Sequence, residues 1–113
     1  MEMTIEELPG GGRLAVLRGR LDIAGAGAIE TKFNATAGAH KALVVDLSGT
    51  SFIASMGMRL LLIAGKTMAA RGGKMALLAP KPEVAAVLKT AGIDSVIPVC
   101  SAREAALAAV AAG

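Results

Sequence analysis

One short segment limits the folds open to this chain more than any other. Residues 43–47 read Leu-Val-Val-Asp-Leu, an aliphatic and β-branched run interrupted only by Asp46. Such a run is typical of a strand that is covered on both faces, as in a parallel sheet packed between helices. Because parallel strands need long crossover connections, the rest of the chain is expected to supply helices around this strand. The segment therefore predicts an α/β fold with a central strand at 43–47.

The residues before that strand predict a hairpin followed by a helix. Segments 4–8 and 13–17 have β-compatible compositions, and Pro9 with the glycines at 10–12 forms a turn between them. From Asp22 onward Ile29, Phe33 and Ala37 recur at helical spacing, and Gly38 is expected to end the helix. Glycines within this segment lower its intrinsic helix propensity, so the helix must depend on tertiary packing.

The segment after the central strand predicts a polar turn and then the longest helix. The turn is expected at 48–51, and the helix from about Ser55 to Ala70. The side chains expected on the buried side of this helix are Leu60, Ile63, Ala64, Thr67 and Met68.

The last third of the chain predicts two more strands and two more helices. Gly72 and Gly73 precede a strand at 74–79, and Pro80 and Pro82 introduce a helix with Val84, Val87, Leu88 and Ala91 on its apolar side. A strand at 95–99 follows, and Ser101 with Glu104 resembles a capping box at the start of a final helix. The predicted order is β-β-α-β-α-β-α-β-α: a mixed, mostly parallel sheet of about five strands with four helices, in one domain spanning residues 1–113.

Composition argues against several classes of function. The net charge of +3 is spread along the chain and Trp and Tyr are absent, so nucleic-acid binding is not expected. Charged residues interrupt every apolar run well short of a membrane span, and the acidic N-terminus is unlike a secretory signal. The single cysteine, Cys100, suits a reducing compartment. We therefore expect a cytoplasmic protein without membrane insertion.

Catalytic, metal and cofactor sites also lack their usual residues. His40 is the one histidine and lies at a predicted helix-to-strand junction, where a solvated surface residue is expected. A catalytic serine or cysteine needs a base within hydrogen-bond reach, and a metal site needs clustered ligands. The glycine clusters match neither a Walker A loop nor a dinucleotide-binding turn. No enzyme activity, metal or cofactor is expected.

Ser55 is the most informative polar residue in this context. It follows the most apolar strand and begins the longest helix, at the edge of an α/β sheet where ligands and partners bind. A phosphate on this serine would lie near free backbone N–H groups and the positive end of the helix dipole. The alternative is that Ser55 serves only as a helix N-cap. The local pattern leaves both interpretations open.

Residues 44–58 resemble the signature of bacterial anti-anti-sigma factors and other STAS domains. The segment reads Val-Val-Asp-Leu-Ser-Gly-Thr-Ser-Phe-Ile-Ala-Ser-Met-Gly-Met, and the family has an apolar strand, Asp-Leu-Ser, a short turn and then Phe-Ile-Asp-Ser-x-Gly-Leu. Residues 17–22 are similar to the family's Gly-x-Leu-Asp before its first helix, and residues 72–74 match its later glycine turn. The resemblance spans nearly the whole chain.

The resemblance implies a partner-switching role. Ser55 aligns with the serine that a kinase, itself the anti-sigma factor, phosphorylates in this family. The unphosphorylated protein would bind that kinase and free a sigma factor or other client, and phosphorylation would weaken the binding. Ala54 stands where the family commonly has an acid, and Met58 replaces the family's leucine. The implied partner-binding residues are Asp22, Ala24, Ala54, Ser55, Met56, Gly57, Met58 and Arg59.

Two other functions remain open at this point. The chain could be a STAS protein that is not phosphorylated and forms part of an assembly, such as a lipid-transport ATPase or a stress-sensing complex. It could also bind a nucleotide or another small molecule at the Asp22 and Ser55 edge. Asp22 itself has a simpler alternative role as the N-cap of the first helix.

Overall fold

The computed structural model describes residues 1–111, so the last two residues of the predicted domain lie outside the described part. The strands are β1 (Glu2–Glu7), β2 (Arg13–Leu21), β3 (Ala42–Ile53), β4 (Lys74–Leu78) and β5 (Val99–Cys100). The helices are α1 (Ile23–Ala39), α2 (Ser55–Ala70), α3 (Pro82–Thr90) and α4 (Arg103–Val110), with a short 3₁₀ turn at Ile93–Ser95.

The five strands form one sheet in the order β1-β2-β3-β4-β5. β1 pairs with β2 in antiparallel register, and every other neighbouring pair is parallel. β3 lies in the middle, as its apolar sequence predicts, and the first two strands form the expected antiparallel pair. The predicted fold class is confirmed: a five-stranded mixed sheet with four helices in the expected order.

Helices cover the sheet unequally on its two faces. Leu43, Val45 and Leu47 of β3 pack into a large core with buried residues of α1, α2 and α3. Val44 points to the opposite face and packs with residues of α4 in a smaller core. This alternation is the period-two pattern of a strand, and both faces bury aliphatic side chains because helices lie on both sides.

The predicted polar turn at 48–51 is wrong, because β3 continues without interruption to Ile53. Residues 49–53 pair with the second half of β2 through two register shifts. Thr50 is fully buried, and its hydroxyl donates a hydrogen bond of 3.0 Å to the backbone oxygen of Leu17. The polar residues of this segment are held in a strand by pairing with a distant partner, which local composition does not reveal.

Helix faces and ends also differ from the predictions. α1 continues past Gly38 to Ala39, with His40 at its C-cap. On α2 the prediction is right for Leu60, Ala64 and Met68 but wrong for Ile63 and Thr67, which are exposed. Val87 and Ala91, predicted on the apolar side of α3, are exposed. α2 and α3 therefore each bury a narrower face than their apolar patterns suggest.

The predicted strand at 95–99 is also wrong. Residues 93–95 form the 3₁₀ turn, and β5 contains only Val99 and Cys100. Cys100 is half-buried. α4 begins one residue later than predicted, with Ala102 at its N-cap and no side-chain cap, so the capping box at Ser101 does not form.

Candidate functional site

The carboxyl ends of β2 and β3 bring two helix N-termini to one edge of the sheet. β2 leads directly into α1 and β3 leads directly into α2. Leu21, the last residue of β2, lies opposite Ile53, the last residue of β3. The N–H of Ala54 donates a hydrogen bond of 3.0 Å to the backbone oxygen of Leu21. Asp22 and Ser55 therefore lie at the same edge, as predicted.

Two glycines allow the helices to start this close to β2. A Cβ atom at Gly57 would lie 2.5 Å from the backbone oxygen of Leu21 and 2.6 Å from its Cγ. A Cβ atom at Gly25 would clash with the backbone oxygen of Arg20. Any larger residue at these positions would push the helix away from the strand, so Gly57 positions the start of α2 rather than offering a contact surface.

Ser55 is exposed and occupies the first position of α2. The N-cap is Ala54, whose side chain cannot accept a hydrogen bond. The interpretation of Ser55 as the N-cap is therefore wrong. Because the first N–H groups of a helix have no acceptor within the helix, Ser55 lies at the positively polarised end of α2.

Asp22 is the N-cap of α1, which confirms the simpler of its two predicted roles. One carboxylate oxygen accepts a hydrogen bond of 2.8 Å from the N–H of Gly25, and the other lies 3.3 Å from Nε of Arg20. The Gly25 hydrogen bond is the main cause of a lowered pKa for Asp22; partial burial opposes it, and Arg20 adds to it. The Arg20 guanidinium also stacks over the Phe52 ring, 4.2 Å from its centroid.

The surface beside Ser55 is more apolar than the sequence predicts. Ile23 is 73% exposed, Met56 44% and Ile63 47%. These three side chains line a groove of about 90 Å³ between α1 and α2, together with Glu30 and Arg59. We call this the α1–α2 groove. Ile23 is absent from the residues predicted from the sequence, and Ile63 is predicted on the buried side of α2. Ile63 lies two helical turns after Met56 and so shares its face of α2.

The other predicted partner-binding residues differ in their exposure. Ala24 and Arg59 are exposed, Ala54 and Met58 are half-buried and Gly57 is buried. Met58 packs against the large core, although it is among the implied partner-binding residues. Of the predicted partner-binding residues, the exposed ones are therefore Ala24, Ser55, Met56 and Arg59.

Two further properties apply to residues 1–111. No helix in this range is long and apolar enough to cross a membrane. Nor does this range contain a cluster of three or more histidine, cysteine or carboxylate side chains able to hold a metal ion.

Comparison with known proteins identifies the family. Residues 6–106 match the family model of the STAS domain. BtrV, a candidate anti-sigma factor antagonist of Bordetella bronchiseptica, is 32% identical over 110 residues, which cover 96% of this chain and 94% of BtrV. The chain therefore belongs to the STAS-domain family of anti-sigma factor antagonists, a family of regulatory proteins.

Solved structures agree with this assignment. An anti-sigma factor antagonist from Mycobacterium paratuberculosis is 26% identical and superposes with a TM-score of 0.86, covering 96% of this chain and 92% of the other. The Bacillus cell-fate determinant SpoIIAA in its phosphorylated form is 23% identical, with a TM-score of 0.73 and coverage of 95% and 97%. At that lower identity, the similarity to SpoIIAA shows the fold alone.

Proposed function

We propose that this chain is a cytoplasmic anti-sigma factor antagonist without enzyme activity. Its unphosphorylated form binds an anti-sigma factor that is also a serine kinase, through the edge that carries Ser55. Phosphorylation of Ser55 then weakens the complex. The observation that carries the proposal is the exposed serine at the first position of α2, directly before Met56, which lines the α1–α2 groove with the exposed side chain of Ile23.

The chemistry of the switch needs only the serine from this chain. The Ser55 Oγ attacks the γ-phosphorus of ATP bound to the kinase, its proton passes to a base of the kinase, and ADP leaves. The product carries about −1.5 to −2 of charge at neutral pH. An interface that buries Ile23 and Met56 would have to desolvate this charge. Each loss of about 1.4 kcal/mol in binding free energy weakens the affinity tenfold. We expect phosphorylation to weaken binding by at least about tenfold.

The SpoIIAA structures support the proposal by analogy. SpoIIAA has been solved in both an unphosphorylated and a phosphorylated form. SpoIIAA is itself an anti-sigma factor antagonist. Both forms share the fold of this chain, so an STAS domain of this shape accommodates the modification.

A nucleotide site at this edge has less support. The α1–α2 groove has a volume of about 90 Å³. Pockets that hold drug-sized ligands usually range from about 300 to 1,000 Å³. A larger cavity, of about 600 Å³, lies at the opposite edge of the sheet beside the turn at 10–12, far from Asp22 and Ser55.

Phosphorylation is tested by intact-mass spectrometry. The wild-type protein, Ser55→Ala and Ser51→Ala are each incubated with ATP and the purified anti-sigma kinases of the same organism. Ser51 is a matched control, because it is also exposed and lies four residues earlier, within β3. We expect one phosphate on the wild type and on Ser51→Ala, and none on Ser55→Ala. A kinase that binds the protein without modifying it would instead favour the unphosphorylated assembly subunit.

Binding is tested by calorimetry with the same kinase. Ser55→Asp should weaken the complex, whereas Ser51→Asp should leave it nearly unchanged. Equal affinities for wild type and Ser55→Asp would contradict the proposed switch and again favour a role in a constitutive assembly.

A further inference from the structure

Arg59 is an exposed cation one helical turn after Ser55. Side chains on a helix tilt toward its N-terminus, so the residue at i+4 lies over the residue at i. The Arg59 side chain lines the α1–α2 groove with Met56 and Glu30. Within residues 1–111 the ion pairs are Arg13 with Glu7 and Arg20 with Asp22. Arg59 is thus unpaired in this range, and its i+4 spacing places it on the same face of α2 as Ser55.

We propose that Arg59 is the counter-charge of phosphorylated Ser55 within the same helix. Modification then diverts the guanidinium from the partner-facing surface to the phosphate. The inference rests on the proposed function in one respect, because it takes Ser55 to be the acceptor. It adds a second cause of weakened binding: the partner meets a new anion and also loses a cation that it could contact.

The neighbouring charges favour Arg59 over the other cations. Arg20 is already held by the Asp22 carboxylate and by the Phe52 ring. Lys66 lies almost two further turns along α2. A guanidinium also fits a phosphate better than an ammonium does, because its parallel N–H groups can bind two oxygens at once.

Two carboxylates near this edge could compete with the proposed pair: Glu30 in α1, and Asp22 at the N-cap of α1. Glu30 lines the same groove as Arg59. Within residues 1–111 of the unmodified protein, however, the two side chains form no ion pair. Asp22 is occupied by Arg20 and by the Gly25 N–H. Ala54, directly before Ser55, is uncharged. Arg59 is therefore free to turn toward a phosphate on the first turn of α2.

The test uses the full chain with phosphoserine installed at position 55 during translation, so that neither kinase nor partner is needed. The phosphate is titrated by ³¹P NMR at low salt in three proteins: the phosphorylated parent, the same protein with Arg59→Gln, and the same protein with Lys66→Gln. A nearby cation favours the dianion, so removing it raises the titration midpoint. We expect Arg59→Gln to raise this midpoint by about 0.3 pH unit, from the usual energy of an i,i+4 pair.

Lys66→Gln removes the same charge from the same helix, but farther from the phosphate. Its shift of the titration midpoint should therefore be less than half that of Arg59→Gln. The proposal is overturned if the two variants shift the midpoint equally, or if Arg59→Gln leaves it unchanged. Because the phosphate is installed directly, the result does not depend on whether a kinase modifies Ser55, and failure of either proposal can be recognised separately.

Discussion

Replacing Gly57 by alanine would test the contact that fixes the start of α2. The new Cβ atom would lie 2.5 Å from the backbone oxygen of Leu21, although real Cβ atoms essentially never approach other atoms closer than 3.0 Å. That oxygen cannot turn away freely, because it accepts the hydrogen bond from Ala54. The start of α2 must therefore move by roughly half an ångström, which disturbs the packing and the hydrogen bond together.

The expected cost follows from two opposing terms. Overpacking of this kind costs about 1–3 kcal/mol. Against this, alanine stabilises the helix by about 0.5–1 kcal/mol relative to glycine, because of its higher helix propensity. Taking the middle of each range, the net loss in the free energy of unfolding should be about 1 kcal/mol. Gly27→Ala is the matched control, because Gly27 lies within α1 and a Cβ atom there has no neighbour within 4 Å. That variant should gain about 0.5–1 kcal/mol.

Urea unfolding followed by far-ultraviolet circular dichroism is the suitable assay, since the chain has no Trp or Tyr for fluorescence. The urea concentration at the unfolding midpoint should fall for Gly57→Ala and rise for Gly27→Ala. The slope of the unfolding free energy against urea concentration should be the same in both variants. If Gly57→Ala were as stable as the wild type, or if both variants moved in the same direction, the close contact between α2 and β2 would be refuted.

Two further substitutions test the hydrogen bonds at this edge. The pKa of Asp22 is lowered from 3.8 in the folded state, mainly by the Gly25 N–H, so its stabilising effect is complete above that value and is lost as pH falls through the lower folded value. Urea unfolding midpoints measured from about pH 6 down to 2 should therefore fall less steeply with decreasing pH in Asp22→Asn than in the wild type. The same pH dependence in both proteins would contradict this. Thr50→Val removes the donor to Leu17 and should cost about 1 kcal/mol in urea unfolding, whereas Thr50→Ser should retain most of that stability.

The parts of the fold that could be predicted depend on local pattern. The apolar run at 43–47 identifies the central strand, and the spacing of Ile29, Phe33 and Ala37 identifies α1. The second half of β3 could not be predicted in this way, because its polar residues form a strand only through pairing with β2. Local composition carries no information on such long-range pairing.

The candidate site was predictable to a similar degree. The positions of Asp22 and Ser55 follow from a general property of α/β folds, because helices that follow parallel strands begin at the same edge. The exposure of Ile23 and Ile63 does not follow from periodicity, since it depends on how closely α1 and α2 pack beside each other. The α1–α2 groove therefore becomes visible only in three dimensions.

The two outer strands also influence how the protein meets other copies of itself. The outer edge of a sheet can pair with another sheet and begin aggregation. Here one edge strand, β5, has only two residues and offers few free backbone groups. The other, β1, carries Glu2, Glu6 and Glu7, whose like charges repel a second copy of the same strand. Both edges thus resist indiscriminate strand pairing, and the protein can expose an apolar groove for a specific partner without inviting fibrous self-association through its sheet.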